Sequence, residues 1–299
     1  MTLAGGASAT ADERLALVRA HDLDRYISIL LSPAETRADL LTLHAFDAEL
    51  ARIPATVTDP LIGEIRLQWW RDALAPLLRS ALGGTRQRPP AGHRTGHPVA
   101  DDLFEVVDRR RLSAGLLHGM IDARSTELSD APLADEAQLM AYIAKTDAAL
   151  LQLTARVLDG NDPPASLDTG MTDAAGRTIG LVRLARRLLL HAKGAEILVP
   201  STLWPLADRA GNGPPTGLSA RQRAAERLAG MAVADLERVH SRLVDLPRAI
   251  QPAFLPLALA PRYIALLRRA GSDGHAPADI NPLIRLWTLW RARHKKIMV

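Results

Sequence analysis

The chain has 299 residues, of which 47% are hydrophobic and 4% aromatic, and its formal net charge is +4. This length and apolar content suffice for one sizeable hydrophobic core. There is no cysteine, which excludes disulfides, thiolate metal sites and a cysteine nucleophile. Nothing resembles a secretory signal, and no apolar stretch approaches the roughly 20 residues of a membrane span. We therefore expect a cytoplasmic protein and leave open peripheral contact with the inner face of a membrane.

Arginine supplies nearly all of the positive charge, since the only lysines are Lys145, Lys193, Lys295 and Lys296. A basic excess of this kind indicates an anionic partner in some proteins. The alternative is a GC-rich genome, whose codons favour Arg, Ala and Pro. We expect no nucleic-acid partner.

The abundance of Ala, Leu and Arg, with apolar residues at helical spacing, predicts an all-α protein. The first two helices are predicted at 12–31 and from Pro33 to Ile53, the second with Ser32 as its N-cap and Pro33 at its first position. The remaining helices are predicted at 61–82, 103–110, 112–129, 135–158, 171–192, 218–245, 248–270 and 280–294. Residues 1–11 are predicted to be a flexible leader, and the Gly- and Pro-rich residues 83–102 a variable loop. No linker divides residues 12–299, which we interpret as one domain.

Three segments carry a family resemblance. They are RYISILLSPAETRADLLTLHAFDAELARI, GEIRLQWWRDAL and AGRTIGLVRLARRLLLHAKGAEILVP, which begin at Arg25, Gly63 and Ala175. Together they resemble the squalene and phytoene synthases, in the same order, from about Asp24 to the carboxyl terminus. The resemblance implies the isoprenoid-synthase fold, a single helical bundle around a central cavity. It also implies two facing aspartate-rich motifs that hold magnesium ions, which in turn bind prenyl diphosphates.

The first aspartate-rich motif is absent from this chain. The positions that the family fills with acids carry Ala51, Arg52 and Ala55. The nearest acids, Asp47 and Glu49, are two residues apart, so they point to different faces of a helix. Magnesium needs several oxygen ligands in octahedral geometry, and this segment does not offer them.

The second motif departs further from the family pattern. Where the resemblance implies glutamine, asparagine and two aspartates, the chain carries Gly180, Arg183, Arg187 and His191. The family's arginine is retained as Arg186. A cation about 5 Å from a divalent ion is repelled by several kcal/mol even at an effective dielectric constant of about 20. We therefore expect no metal site, no catalytic residue and no cofactor, with magnesium needed only if the chain is a prenyltransferase after all.

The exchanged residues suggest a different use of the same face. Arg183, Arg187 and His191 are four residues apart and share a face of their helix. If that face lines the cavity, it binds a diphosphate or a lipid headgroup without metal, because a guanidinium group pairs with phosphate through two hydrogen bonds. The candidate anion-binding residues are Arg37, His44, Arg183, Arg186, Arg187 and His191. The alternative is a solvated basic face.

Three segments resemble a divergent branch of the family that has lost the aspartates. They are AFDAELARIPATVTDPLIGEIRLQWWRDAL, YIAKTDAALLQLT and NPLIRLWTLWRARHKK, which begin at Ala45, Tyr142 and Asn281. That branch includes the mitochondrial assembly factor for respiratory complex I, and the resemblance implies a complex I subunit or assembly intermediate as partner. Our leading hypothesis is a non-catalytic protein that assists assembly of a membrane complex. The alternatives are a head-to-head prenyltransferase acting on farnesyl or geranylgeranyl diphosphate, and a carrier of an isoprenoid or quinone-like lipid.

Three smaller patterns complete the predictions. Trp69 and Trp70 are adjacent and cannot share a face, so one should lie in the core and the other should cover a neighbouring helix. The segment from Tyr142 to Asp147 is interpreted as a surface salt bridge. The helix at 280–294 either closes the bundle or lies on an anionic membrane through its tryptophans and basic end.

Overall fold

The computed structural model describes residues 4–81, 95–129, 131–159, 169–190, 192–204, 218–273 and 279–294. In these ranges the chain forms α-helices, shorter helical turns and no strand, which confirms the all-α prediction. The helices are α1 (Ala4–His21), α2 (Leu23–Leu30), α3 (Ala34–Thr56), α4 (Pro60–Ala81), α5 (Pro98–Arg110), α6 (Ala114–Ser125), α7 (Glu136–Ile143), α8 (Ala149–Asp159), α9 (Thr169–Leu189), α10 (Leu218–His240), α11 (Ala260–Asp273) and α12 (Pro282–His294).

The beginning of the chain differs from the prediction in two ways. Helix α1 starts at Ala4, so it includes most of the predicted leader. The helix predicted at 12–31 is divided at Asp22, because its carboxylate accepts a 3.0 Å hydrogen bond from the backbone N–H of Arg25 and so caps a new helix.

Two other predicted boundaries are also shifted. Ser32 does not cap α3, because its hydroxyl donates a 2.9 Å hydrogen bond to the carbonyl oxygen of Ser28 and Pro33 takes the N-cap position. Helix α5 begins at Pro98, so the end of the predicted loop is helical. Residues 83–94 of that loop lie outside the described residues.

The bundle holds two adjoining hydrophobic cores. One gathers around Phe46 of α3, and the other lies between α9 and α10 around residues such as Leu181 and Leu228. The prediction for the adjacent tryptophans is confirmed. Trp70 is 4% exposed and meets Phe46 edge-on at 5.2 Å between ring centroids, whereas Trp69 is 39% exposed and packs beside His97.

A π-helical turn at Ala144–Ala148 joins α7 to α8. Helix α9 packs closely against it, because a Cβ atom on Gly176 would lie 2.4 Å from the Cα of Ala148 and one on Gly180 would lie 2.7 Å from a methyl of Ile143. The turn places five residues where an α-helix places about four. Tyr142 and Asp147 consequently both face inward and are buried, so their interpretation as part of a surface salt bridge was wrong.

Candidate functional site

The centre of the bundle contains charged side chains where the resemblance implies a metal-lined cavity. Four arginines and three carboxylates from α2, α3, α6, α9, the π turn and a 3₁₀ turn that follows α6 form a continuous set of ion pairs. We call this set the central ion-pair network; its members are Arg25, Asp47, Arg124, Glu127, Asp147, Arg183 and Arg187. Its innermost member, Arg124, has a side chain that is 1% exposed.

Asp47 and Asp147 form one half of the network. Asp47 accepts hydrogen bonds from Arg25 Nη1 at 3.0 Å and from Arg124 Nη2 at 2.8 Å. Asp147 accepts from Arg25 Nη2 at 2.6 Å and from Arg183 Nη2 at 3.0 Å. Arg25 therefore ties α3 to the π turn, and Arg183 ties the π turn to α9.

Glu127 forms the other half of the network. It accepts hydrogen bonds from Arg124 Nη1 at 2.6 Å, from Arg187 Nη2 at 2.9 Å and from the hydroxyl of Tyr142 at 2.5 Å. Arg124 is the link between the two halves, because it donates to both Glu127 and Asp47.

The network lowers the pKa of two of its carboxylates, Glu127 and Asp47, and so keeps them ionised. Burial by itself raises the pKa of a carboxyl group, but the guanidinium groups of Arg124 and Arg187 and the hydroxyl of Tyr142 lower the pKa of Glu127 to about 2. The pKa of Asp47 is held well below its usual range against the same burial, by His21 and the surrounding guanidinium groups. Four guanidinium groups thus face three carboxylates. Asp22, 3.5 Å from Arg25 Nε, supplies a fourth negative charge at the edge.

This donor set does not suit magnesium. The carboxylate oxygens that point inward already accept hydrogen bonds from guanidinium groups, and Arg183 and Arg187 stand where the family has asparagine and aspartate. At the first-motif position, Arg52 points outward and pairs with Glu49 at 3.3 Å, while Asp47 points inward, as the two-residue spacing predicts. Within the described ranges, no group of three or more His, Asp or Glu side chains is arranged to hold a metal ion.

The cavity beside the network is small. It is lined by Arg25, His44, Asp147, Ile179 and several apolar side chains, and its volume is about 20 Å³. Pockets for small-molecule ligands typically enclose about 300–1,000 Å³. A cavity of this size has room for a water molecule and not for a prenyl chain. This cavity is therefore too small to hold the lipid that the carrier hypothesis requires.

The five predicted anion-binding residues that the structure describes lie at different places in the bundle. Arg183 and Arg187 belong to the central network. Arg37 is exposed at the start of α3, where its Nε donates to the carbonyl of Ser32 at 2.9 Å. His44 is buried at the cavity, and His191 lies outside the described residues.

Arg186 belongs to a second cluster. It donates to Asp279 at 3.0 Å and lies 3.9 Å above the ring of Tyr263. The same cluster contains Asp24, which accepts from the hydroxyl of Tyr263 at 2.7 Å and lies 2.7 Å from Arg285 Nε. Burial, together with the charge of Asp22, raises the pKa of Asp24 to about 6. This cluster joins α2, α9, α11 and α12.

Sequence analysis missed most of the network. It singled out Arg183 and Arg187 but not Arg25, Arg124 or Glu127, and it assigned Asp147 to the surface. The sequence did offer one indication of buried charge: a charged residue whose neighbours on the same helix face are apolar. That signal suggests burial of a single residue and does not identify its partners.

His44 gives a test of how the cavity responds to pH. Thr154 Oγ1 donates to the carbonyl of Leu150 and so accepts from His44 Nε2–H at 3.1 Å, which both the neutral ring and the imidazolium can donate. Burial, and then the charge of Arg25, lower the pKa of His44 from 6.5 to about 3. The folded state therefore binds fewer protons than the unfolded state between these values. Stability from His44 is complete above pH 6.5 and is lost as the pH falls towards 3.

We expect the free energy of unfolding to fall by about 2 kcal/mol more between pH 7 and pH 5 in the parent protein than in His44→Gln, which removes the titrating ring. Urea unfolding at both pH values measures this difference. An identical pH dependence in the two proteins would show that His44 is accessible to protons in the folded state.

The arrangement of the helices defines the class as an isoprenoid-synthase-type bundle. The squalene/phytoene synthase family profile matches residues 18–291, so the chain belongs to the squalene/phytoene synthase family. Two solved structures share the fold. A dehydrosqualene synthase has a TM-score of 0.67 at 13% identity and covers 96% of both chains. The squalene synthase HpnC from Alicyclobacillus acidocaldarius has a TM-score of 0.64 at 15% identity, covering 89% of this chain and 95% of its own.

The relatives that share sequence similarity with this chain carry the name of an assembly factor, whereas the two solved structures are synthases. The cattle protein named NADH dehydrogenase (ubiquinone) complex I, assembly factor 6 is 30% identical over 201 residues, which are 67% of this chain and 56% of the cattle protein. The rat protein of the same name is 27% identical over 290 residues, covering 94% of this chain and 82% of the rat protein. This chain thus spans little more than half of the cattle relative.

Proposed function

We propose that this protein is a non-catalytic member of the squalene/phytoene synthase family that assists assembly of a membrane-bound respiratory complex, namely complex I. Its partner is then a subunit or an assembly intermediate of that complex. The names and coverage of the cattle and rat relatives support the assembly role. The central ion-pair network supports the absence of catalysis.

One observation carries the non-catalytic part of this proposal: Arg183 and Arg187 are ion-paired to Asp147 and Glu127 in the centre of the bundle. Ionisation of an allylic diphosphate requires the charge of the leaving group to be neutralised, which the family does with magnesium. Here the positive charge of the two arginines is already compensated by carboxylates of the same chain.

A gene deletion tests the assembly role. In the organism that encodes the protein, deletion should lower NADH-driven quinone reduction in isolated membranes and the amount of intact complex I on native gels. Succinate-driven quinone reduction serves as the control and should not change. The parent gene, and a variant with the exposed Arg52→Gln change, should restore complex I. Normal complex I in the deletion strain would overturn the proposed role.

We expect no release of pyrophosphate, and no squalene, phytoene or presqualene diphosphate, when purified protein is incubated with prenyl diphosphates and magnesium. The physical reason is that two cations occupy the positions of metal ligands. Mass spectrometry of the products and a pyrophosphate assay provide the measurement. Turnover that scales with protein concentration and is abolished by a chelator would establish the prenyltransferase alternative.

Metal-free anion binding at Arg183 and Arg187 stays a prediction. An incoming diphosphate has to compete with Asp147 and Glu127, which belong to the same chain and are therefore present at high effective concentration. Calorimetry with farnesyl diphosphate, with and without chelator, is the measurement. We expect weak binding of the diphosphate group alone, with the prenyl chain left outside the cavity, because the side chains of Arg183 and Arg187 are partly exposed. This binding should be independent of magnesium and lost in Arg183→Ala/Arg187→Ala. Binding that requires magnesium would contradict the prediction.

A further inference from the structure

Helix α12 carries an apolar face that the bundle leaves uncovered. Leu283, Leu286, Trp287 and Trp290 are 76%, 47%, 58% and 42% exposed. At 3.6 residues per turn, these four positions fall within an arc of about 100°. The buried positions of the helix, Arg285, Leu289 and Ala292, lie on the opposite side. We call the four exposed residues the outer face of α12; it points directly away from the core.

The helix that presents this face is fixed to the bundle. Arg285 lies 2.7 Å from Asp24 and donates to the hydroxyl of Tyr263 at 3.0 Å. Near the other end of α12, Arg293 Nε donates to the carbonyl of Leu31 at 3.2 Å. The packing of α12 is therefore already satisfied on its inner side, and the outer face is held in place.

Charge indicates what the outer face meets. Helix α12 has no acidic residue, and its last turn carries Arg291, Arg293 and His294. At 3.6 residues per turn, Arg291 and Arg293 lie on the two sides of the apolar arc. The sequence continues with Lys295 and Lys296. An apolar face between basic residues is complementary to a surface with an apolar interior and negative headgroups.

The aromatic residues indicate the same kind of surface. Trp287 and Trp290 stack at 5.3 Å between ring centroids, and Trp290 lies 4.6 Å from the ring of His294. Tryptophan is enriched at the boundary between headgroups and acyl chains, because its ring is apolar and its N–H is polar. No helix in the described part of the chain is long and apolar enough to cross a membrane.

We propose that the outer face of α12 binds the surface of membranes that contain anionic lipids, with Trp287 and Trp290 at the headgroup boundary and the exposed Arg291 paired with lipid phosphates. A lipid surface is favoured over a protein partner by the charge of the helix, because basic residues flank the apolar face and α12 has no acidic residue. The hollows of about 270 and 460 Å³ beside His97 and Lys145 are lined by other elements than α12.

Vesicle binding by the purified full chain tests the proposal. Phosphatidylcholine vesicles are compared with vesicles that also contain an equal amount of phosphatidylglycerol, and bound protein is measured by sedimentation. We expect binding mainly to the anionic vesicles. The Leu286→Ser/Trp287→Ser variant should bind at least about tenfold more weakly. Arg291→Gln should bind the anionic vesicles about fivefold more weakly than the parent protein does. Its binding to the phosphatidylcholine vesicles should not change.

The matched control is Leu61→Ser/Ile65→Ser on α4. These residues are 66% and 61% exposed, so the variant removes comparable apolar surface elsewhere. The α4 segment carries Glu64 and Asp72 among its arginines, whereas α12 has no acidic residue. We expect this variant to bind vesicles like the parent protein. Circular dichroism establishes that each variant is folded.

Several results would overturn the proposal. They are no binding to anionic vesicles, equal binding by the α12 variant, or an equal loss in the α4 variant. A dimer in sedimentation velocity that the α12 variant abolishes would show instead that the outer face is a contact between copies. Because the assay uses only purified protein and lipid, its failure is distinguishable from failure of the proposed assembly role.

Discussion

Asp47→Asn should lower the free energy of unfolding by about 3–5 kcal/mol, the usual cost of removing one partner from a buried ion pair. Asparagine keeps the shape of the side chain but removes the negative charge that Arg25 and Arg124 share, so that only Asp147 and Glu127 still compensate them. Arg124 has no route to solvent, since its side chain is 1% exposed. Urea unfolding at pH 7, followed by circular dichroism, measures the loss.

The matched control lies two residues further along the same helix. Glu49 pairs with Arg52 at 3.3 Å, but the Arg52 side chain is 57% exposed, so this pair is largely screened by solvent. We expect Glu49→Gln to change the free energy of unfolding by less than about 1 kcal/mol. Similar losses in the two variants would contradict a special role for the buried network.

Gly176→Ala should be the most destabilising addition of a single methyl group to α9, with a loss of about 2 kcal/mol or more. The new Cβ atom would lie 2.4 Å from the Cα and 2.8 Å from the backbone nitrogen of Ala148. Backbone atoms of the π turn cannot rotate away as a side chain does, so α9 has to move outward. That movement lengthens the hydrogen bond from Arg183 to Asp147. Thermal and urea unfolding measure the effect.

Substitutions at two other glycines serve as comparisons for the loss of stability in Gly176→Ala. In Gly180→Ala the new methyl group would meet only side-chain atoms, Ile143 Cγ2 at 2.7 Å and Asp147 Oδ2 at 3.0 Å. Side chains can shift where backbone cannot, so we expect a smaller loss than in Gly176→Ala. Gly230 lies within α10 with nothing within 4 Å of the added atom. Gly230→Ala should therefore stabilise the protein by up to about 1 kcal/mol through helix propensity. A Gly176→Ala variant as stable as the parent would show that α9 and the π turn are not in rigid contact.

The sequence by itself determined the all-α class, the family and the absence of both acidic motifs. These properties depend on local periodicity and on the identity of residues at particular positions, and both can be read along the chain. The opposite directions of Asp47 and Glu49 were predicted in the same way, because a two-residue spacing separates the faces of a helix. Local hydrogen bonds explain why two helix boundaries differ from the predicted ones. Asp22 caps α2, and Ser32 donates to the carbonyl of Ser28 instead of capping α3.

Only the tertiary structure decided what the exchanged arginines contact. Arg183 meets Asp147 from 36 positions away, and Arg187 meets Glu127 from 60 positions away. The members of each pair lie on different elements, so the helical repeat of the sequence does not predict that they meet. Their meeting depends on the close approach of α9 at Gly176 and on the π turn that brings Tyr142 and Asp147 inside. Sequence reasoning expected a basic face that was free for an external anion, because the charge on one helix is visible in its sequence. The compensating charges lie on other elements, and only packing brings them together.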